Sequence, residues 1–569
     1  MDVLGTARAY IKEMVNLAGP QMKVILMDKE TTTIVSCAFA QSEMMQKEVY
    51  LFERLDSPIP REPIKHLKCL VYLFERLDSP IPREPIKHLK CLVFIRPTAN
   101  NIQLLSTELR NPRYAQYYIY FSNIVSKTDL KTLAEADEQE TVREVHEFFV
   151  DGIALSSALF CINLKDIYDH SFILNTSALL RIKQALVALL LNQKKKPILR
   201  FQRSSENCKR LADEVNQVIK REEGLFDNSK RDTMLLIIDR SEDPVTPLLN
   251  QWTYEAMVHE LITINNNRVS IDGQSMVLSE LHDEFYAKNV SSNFGEIGQN
   301  IKLLMNEFQQ KAQIHKNLES IADMKNFVEE YPQFKKISGT VSKHVTLVGE
   351  LSKIVANQNL LEISEVEQSI VAEGDHSRCL ERVRILINHP KTSRLNALRL
   401  LLLYALRFEA NPNNDITGLI NLLKKNVDAG SIVRALLRYA GSARRNNDLF
   451  GEGSTMEMTK RFIKGLKGVE NIYTQHQPYI KNLIENVIRG KLSEQQYPFV
   501  SGDFTSNRQD NLIIFILGGA TFEESLFVRS QNEKRMQGGG GPAVLLATTF
   551  MHNTTSFVEQ FSETAFCSR

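Results

Sequence analysis

Three groupings in the sequence hold residues of the kinds that do chemistry. Asp239-Arg240-Ser241-Glu242-Asp243 follows directly on the apolar run that starts at Met234. Carboxylates at the C-terminal end of a buried strand could hold a metal ion for hydrolysis. The plainer alternative is a strand-to-helix junction, with Asp243, Pro244 and Pro247 shaping the turn and the start of the next helix. Gly518-Gly519 follows the apolar run Asn511–Leu517 and precedes Thr521. Such a turn could cradle a phosphate. Neither GxxxxGK[ST] nor GxGxxG is present, so a tight turn packed against the sheet serves equally well. His259, His344, His476 and His552 lie in four separate contexts. No Ser/His/Asp or Cys/His grouping accompanies them, and GxSxG is missing. The seven cysteines are an odd count with no zinc spacing, which points to a reduced, cytosolic setting. These residues give no catalytic constellation, no metal site and no cofactor site. They read as a large binding protein more than as an enzyme.

The elements that must position these residues follow from pattern. Lys23–Asp28, Val49–Phe52, Leu92–Ile95 and Tyr117–Phe121 are short apolar runs separated by helical stretches, which predicts a buried parallel sheet. The texture repeats with a helix over Ser177–Gln193 and strands over Pro197–Phe201 and Met234–Asp239. From Trp252 to about residue 480 nearly everything has helical period, as in Met257, Leu261 and Ile264, or Leu395, Leu398, Leu402 and Ala405. Strand signals return only at Asn511–Leu517 and Ala543–Ala547, with the loop Gln537–Gly541 between them. A helical block inserted into a second α/β domain is the arrangement this order predicts. Lys+Arg number 69 against 68 Asp+Glu, so bulk charge gives no reason to expect nucleic acid or an anionic membrane as partner. The N-terminal segment lacks a signal-peptide core, and the apolar runs Ala185–Leu191 and Leu400–Leu406 are too short to span a bilayer.

Residues 49–70 and 71–92 are the same 22 residues twice, VYLFERLDSPIPREPIKHLKCL. Structural repeats diverge, so a perfect single copy reads as a duplicated exon or a gene-reading artefact rather than a solenoid.

The stretch LLIIDRSEDPVTPLLNQWTYEAMVHELI at Leu235–Ile262 resembles the signature of the Sec/Munc (SM) family, cytosolic regulators of SNARE-driven membrane fusion. KVILMDKETT, NPRY before YYIYFSNIVS, YPQFKKISGTVSKHVTLVGEL, GLKGVENIYTQHQP and IFILGGATFEES fit the same family in order and spacing. The tandem copy and the approach to the last strand depart from it.

The resemblance implies an arch of three domains. Residues 1–146 form a parallel α/β domain, 147–246 with 483–569 a second, and 247–482 a helical insert. It implies SNARE partners: a syntaxin-type SNARE in the cleft between first domain and insert, a vesicle SNARE on a helical hairpin near residues 300–351, and the assembled SNARE complex. It further implies peripheral association with Golgi and endosomal membranes. For sites, it implies that the syntaxin's N-terminal peptide binds the outer face of the first domain, near Phe121, Ile124, Leu130, Leu133 and Ala134. Leu130, Leu133 and Ala134 also form an apolar stripe that could pack wholly on the sheet. Asp28, Glu53 and Arg54, at or near the ends of the first strands, are candidates for pairing with a syntaxin helical bundle, or else solvated loop charges. Pro332 and Val345 fall on the implied vesicle-SNARE hairpin, with a bend or tip expected at Tyr331-Pro332. An ordinary helix break with Val345 in the core is the alternative. A metal- or nucleotide-dependent hydrolase using Asp239–Asp243 or Gly518-Gly519 remains the competing function.

Overall fold

Each apolar run of the N-terminal unit sends alternate side chains to opposite faces, and that alternation builds two cores at once. Val24 and Leu26 join one cluster, whereas Ile25 and Met27 join another. The computed structural model describes residues 1–56, 86–314, 321–423, 428–445, 449–450, 476–500 and 509–566, with backbone alone over 311–314, 321–334, 336 and 563–566. Its first sheet is wholly parallel, in the order β2 (Val49–Arg54), β1 (Lys23–Met27), β3 (Ile86–Ile95), β4 (Tyr114–Phe121) and β5 (Val142–Glu147). Helices Ala99–Arg110 and Lys127–Ala136 cover its outer face.

A second sheet has the order β6 (Ile153–Ser156), β7 (Leu159–Cys161), β13 (Ala543–Thr548), β12 (Asn511–Leu517), β9 (Thr233–Asp239) and β8 (Ile198–Phe201). The two strands from the end of the chain thus sit in the middle, between strands that precede the helical block. Leu235 pairs with Ile513, and Ile513 with Leu545. One face of this sheet shares a core with the inner face of the first sheet, through helices Thr176–Asn192 and Glu206–Arg221. The other face packs against the helical block. The returning chain covers the edge of β8: Arg203 N–H donates to Gln496 O at 2.9 Å and Val500 N–H to Leu199 O at 3.1 Å. That pairing removes an open edge that could recruit another strand.

Within the helical block, three features differ from expectation. A short antiparallel ribbon, β10 (Arg268–Ile271) and β11 (Gln274–Val277), interrupts it. Asp272 and Gly273 both have positive φ (48° and 78°) at its turn, the conformation an Asp-Gly pair favours. The helix begun at Tyr254 ends at Leu261 and does not extend to Ile264. The helix break or hairpin tip expected at Tyr331-Pro332 is also corrected. One helix runs from Ile321 to Asn357 through Pro332 and packs against the helix Phe294–Ile314. A helix-interior proline costs about 3 kcal/mol. The buried stripe Val341, Leu347, Leu351 and Val355 anchors the later half of this helix and outweighs that cost. A hairpin of helices therefore exists, but its connection, residues 315–320, lies outside the described residues.

The strands also bear on the tandem copy. β2 takes VYLFER from the first copy, and β3 begins with IKHLKCL of the second. The second VYLF, at Val71, lies outside the described residues. One copy read straight through would supply both strands in the same order. Deleting Val71–Leu92 should therefore leave the sheet intact and give an equal or higher melting temperature, measurable by calorimetry; a lower one would show that the surplus unit belongs to the fold.

Candidate partner-binding surfaces

The outer face of the first sheet is built by the helix Lys127–Ala136. Ser126 caps it, its hydroxyl accepting from Asp129 N–H at 3.0 Å. Leu133 and Ala136 turn inward onto Phe121, which has no exposed surface, and Leu130 packs on the same cluster while staying half-exposed. The structure thus brings Phe121, Leu130 and Leu133 together. It does not bring in Ile124, which packs on the opposite cluster, or Ala134, which points to solvent. The stripe that meets the sheet runs through 130, 133 and 136, one step away from the stripe read in the sequence. Leu130 is the one member with surface to offer.

The expected cleft charges are mostly spent inside the protein. Asp28 is buried and caps the helix Lys29–Ala38: one oxygen accepts from Thr31 N–H at 2.8 Å, the other from Arg96 N–H at 2.7 Å and Asn101 Nδ2 at 2.8 Å. Burial pushes its carboxyl above the ordinary range, against these hydrogen bonds. Glu53 is also buried and pairs with Arg113 at 3.0 Å. Arg54 is partly exposed and pairs with Asp56 at 2.9 Å. So Asp28 and Glu53 are structural rather than partner-facing, and neither is a solvated loop charge. Beside them, Arg96 donates to Asp151 (2.9 Å) and Glu30 (2.9 Å), and Arg181 to Asp151 (3.1 Å) and Glu30 (2.9 Å). This network ties the first sheet to the helix Thr176–Asn192 of the second unit. The strand ends that a free parallel sheet would offer to a ligand are covered here by that unit.

What faces open space is a groove between the helix Lys29–Ala38 and the ribbon β10–β11. Thr33 and Ser36 line one wall; Thr263, Asn265, Arg268 and Ser275 line the other. Nothing in the sequence reading singled these residues out; the Asp-Gly turn of the ribbon was the available signal. Nearby, Glu43 on the short helix Gln41–Met45 lies 3.3 Å from His282, which follows the ribbon, and Arg8 pairs with Glu43 at 2.8 Å.

At the foot of the helical hairpin, His344 is wholly buried. Its Nδ1 lies 2.7 Å from Tyr254 Oη and its Nε2 2.9 Å from Asp283, which also pairs with Lys343. Burial lowers the His344 pKa, while Asp283 pulls the other way. Val345 beside it is half-buried, not in the core.

The competing hydrolase site is closed by its own neighbours. Asp239 accepts from Ser205 Oγ (2.8 Å) and Tyr439 Oη (3.1 Å). Asp243 accepts from Thr246 Oγ1 (2.6 Å) and Tyr479 N–H (3.0 Å), and Arg240 reaches Glu524 at 2.8 Å. Burial alone would raise Asp243, but Arg240 and His476 hold it below the ordinary carboxylate range. Gly518 and Gly519 both have positive φ (93° and 97°), and a Cβ on Gly519 would lie 2.0 Å from the His552 ring. The glycines permit that close approach. The helix start beyond them is already satisfied, since Glu524 accepts from Thr521 N–H at 2.9 Å. Among the described residues no three His, Cys, Asp or Glu side chains are grouped to hold a metal, and no helix is long and apolar enough to cross a membrane.

His552 supplies a pH test of this packed region. Burial, with Arg240 and His259 nearby, lowers its pKa from 6.5 to about 3. The unfolded chain therefore takes up a proton that the folded chain refuses, and stability is lost as pH falls from 6.5 towards 3. Melting temperatures should drop across that window, and His552→Gln should shallow the slope; an identical slope would place the charge sensitivity elsewhere.

The family model described as the Sec1 family matches residues 23–560. Vacuolar protein sorting-associated protein 45 of Mus musculus is 47% identical over 583 residues, covering 100% of this chain and 97% of that protein. Its Arabidopsis thaliana homolog is 38% identical over 591 residues, covering 100% and 99%. Among solved structures, the SM protein Vps45 in complex with the Qa SNARE Tlg2 matches with a TM-score of 0.88 at 38% identity, covering 100% of this chain and 98% of that one. The Unc18–syntaxin 1 complex from Monosiga brevicollis matches with a TM-score of 0.79 at 18% identity, covering 99% and 100%, a likeness of fold.

Proposed function

This chain belongs to the Sec1 family, and from that membership we propose that it regulates SNARE-mediated vesicle docking and fusion by holding a syntaxin-type SNARE. The fold is the arch of that family: two α/β units, the first sheet wholly parallel and the second parallel except for the antiparallel pair β6–β7, with a helical block set into the second. The observation that carries the reading is the full-length match to a protein solved with its Qa SNARE bound, at 38% identity. The hydrolase alternative is not supported, because the carboxylates and the glycine turn it needs are occupied by protein groups. The pathway is endosomal, trans-Golgi or vacuolar transport, following the relatives' role in vacuolar protein sorting. Membrane association would come through the SNAREs.

The physical task is ordering. SNARE segments that zipper from disorder lose conformational entropy, and a rigid scaffold holding them side by side lowers what remains to be lost. The groove beside helix Lys29–Ala38 takes the SNARE's helical part, and the outer face at Leu130 takes its N-terminal peptide. Two moderate contacts to one partner then add through the connecting linker. The hairpin Phe294–Ile314 and Ile321–Asn357 offers a long helical surface for a vesicle SNARE, supported by its base at His344.

Two variants test the two ends. Leu130→Arg should weaken binding of the SNARE's N-terminal peptide by about 2 kcal/mol while the melting temperature holds, since Leu130 is only half-buried. Unchanged affinity in a titration with labelled peptide would take Leu130 out of the pocket. Val345→Arg should slow SNARE assembly in a liposome lipid-mixing assay, and a wild-type rate would remove the hairpin from the proposal.

A further inference from the structure

We propose that Arg268 selects the partner in the groove: its guanidinium takes a carboxylate on an otherwise uncharged face of the SNARE's helical segment. This rests on the functional reading above and adds the chemistry of the contact.

Arg268 is the single ionisable residue in the groove lining among the described residues; the rest offers hydroxyls, amides and apolar surface, including Ile262 and Val269. Its side chain is exposed and has no hydrogen-bond or ion-pair partner among the described residues. It lies close enough to the facing helix to act electrostatically on Cys37. Within the groove, the wall from the helical block thus presents one positive charge with no partner among the described residues.

The backbone under Arg268 is fixed before any partner arrives. Asn265 and Arg268 exchange backbone hydrogen bonds of 2.8 and 2.9 Å around Asn266 and Asn267, both at positive φ (50° and 60°). Four residues further on, the Asp272-Gly273 turn closes the ribbon. On the other side Thr263 has φ of 79°, a conformation a β-branched residue resists. It is held there by Asn553 Nδ2 donating to its hydroxyl at 3.2 Å, while Ile264 N–H donates to His259 Nδ1 at 3.1 Å. Strain kept by contacts from two separate elements preorganises this wall, so binding has only the Arg268 side chain to order. A carboxylate fits better than a phosphate, because one guanidinium balances one negative charge and the lining adds no second cation.

The test is calorimetric titration of the full chain with the soluble part of a Tlg2-type Qa SNARE, and separately with its N-terminal peptide alone. Arg268→Glu should weaken binding of the SNARE about tenfold and flatten its salt dependence, Arg268→Lys should keep most of the affinity, and the peptide should bind all three chains alike. SNARE binding by Arg268→Glu within about twofold of wild type, with the same salt dependence, would overturn the inference and leave the function standing. Equal loss of peptide binding would show a non-local effect and overturn it too. Failure of the wild-type chain to bind the SNARE at all would overturn the functional reading, and this inference with it.

Discussion

The pairing of β9 with β12 is the constraint on which the rest of the molecule depends. These strands lie on either side of the whole helical block in sequence, yet they are neighbours from Thr233–Asn511 to Asp239–Leu517. At their C-terminal ends Arg240 reaches across to Glu524 and to Asp243, all three almost fully buried. Burial alone disfavours a charged guanidinium, but the two carboxylates more than offset it and hold Arg240 charged. Buried ion pairs often add little net stability compared with apolar packing, but they penalise any arrangement that leaves one charge alone. A slip of β12 along β9 would strand Arg240, so the pair defends the register. Both ends of the helical block are thereby fixed to one sheet.

From that point the relative placement of the proposed binding surfaces follows. The second sheet shares one core with the first sheet and another with the helical block. The Arg96–Asp151–Arg181–Glu30 network sets how the first unit sits on the second. The groove wall at Thr263 is pinned by Asn553, which belongs to the last stretch of the second unit. So the groove, though its two faces come from the first unit and the helical block, takes its width from the second. A template that aligns flexible partners needs this kind of rigidity, because its contribution is the entropy the partners no longer lose on meeting.

Much of this was legible from residue types. Runs such as MLLIID and NLIIFIL are buried on both faces, and only central parallel strands accept that. The order of textures along the chain gave the inserted helical block. What could not be read was which neighbour would fill each strand end. Asp28 and Glu53 occupy the right positions for a ligand, but Arg96, Asn101 and Arg113 come from distant sequence and claim them first. Pro332 signalled a break that tertiary packing overrode. The ribbon escapes a reading of pattern because its strands are only four residues long, with only Asp272-Gly273 to announce it. Its importance, as one wall of the groove, is a fact of assembly rather than of local sequence.

Amide hydrogen exchange on the full chain, alone and with the soluble part of a Tlg2-type Qa SNARE, reports on every surface at once. Binding in the groove and on the outer face predicts slowed exchange in residues 29–38, 263–277 and 127–136, with the strands of the second sheet unchanged. Protection confined to other segments, with those three exchanging as in the free chain, would contradict the assignment of the SNARE to this cleft.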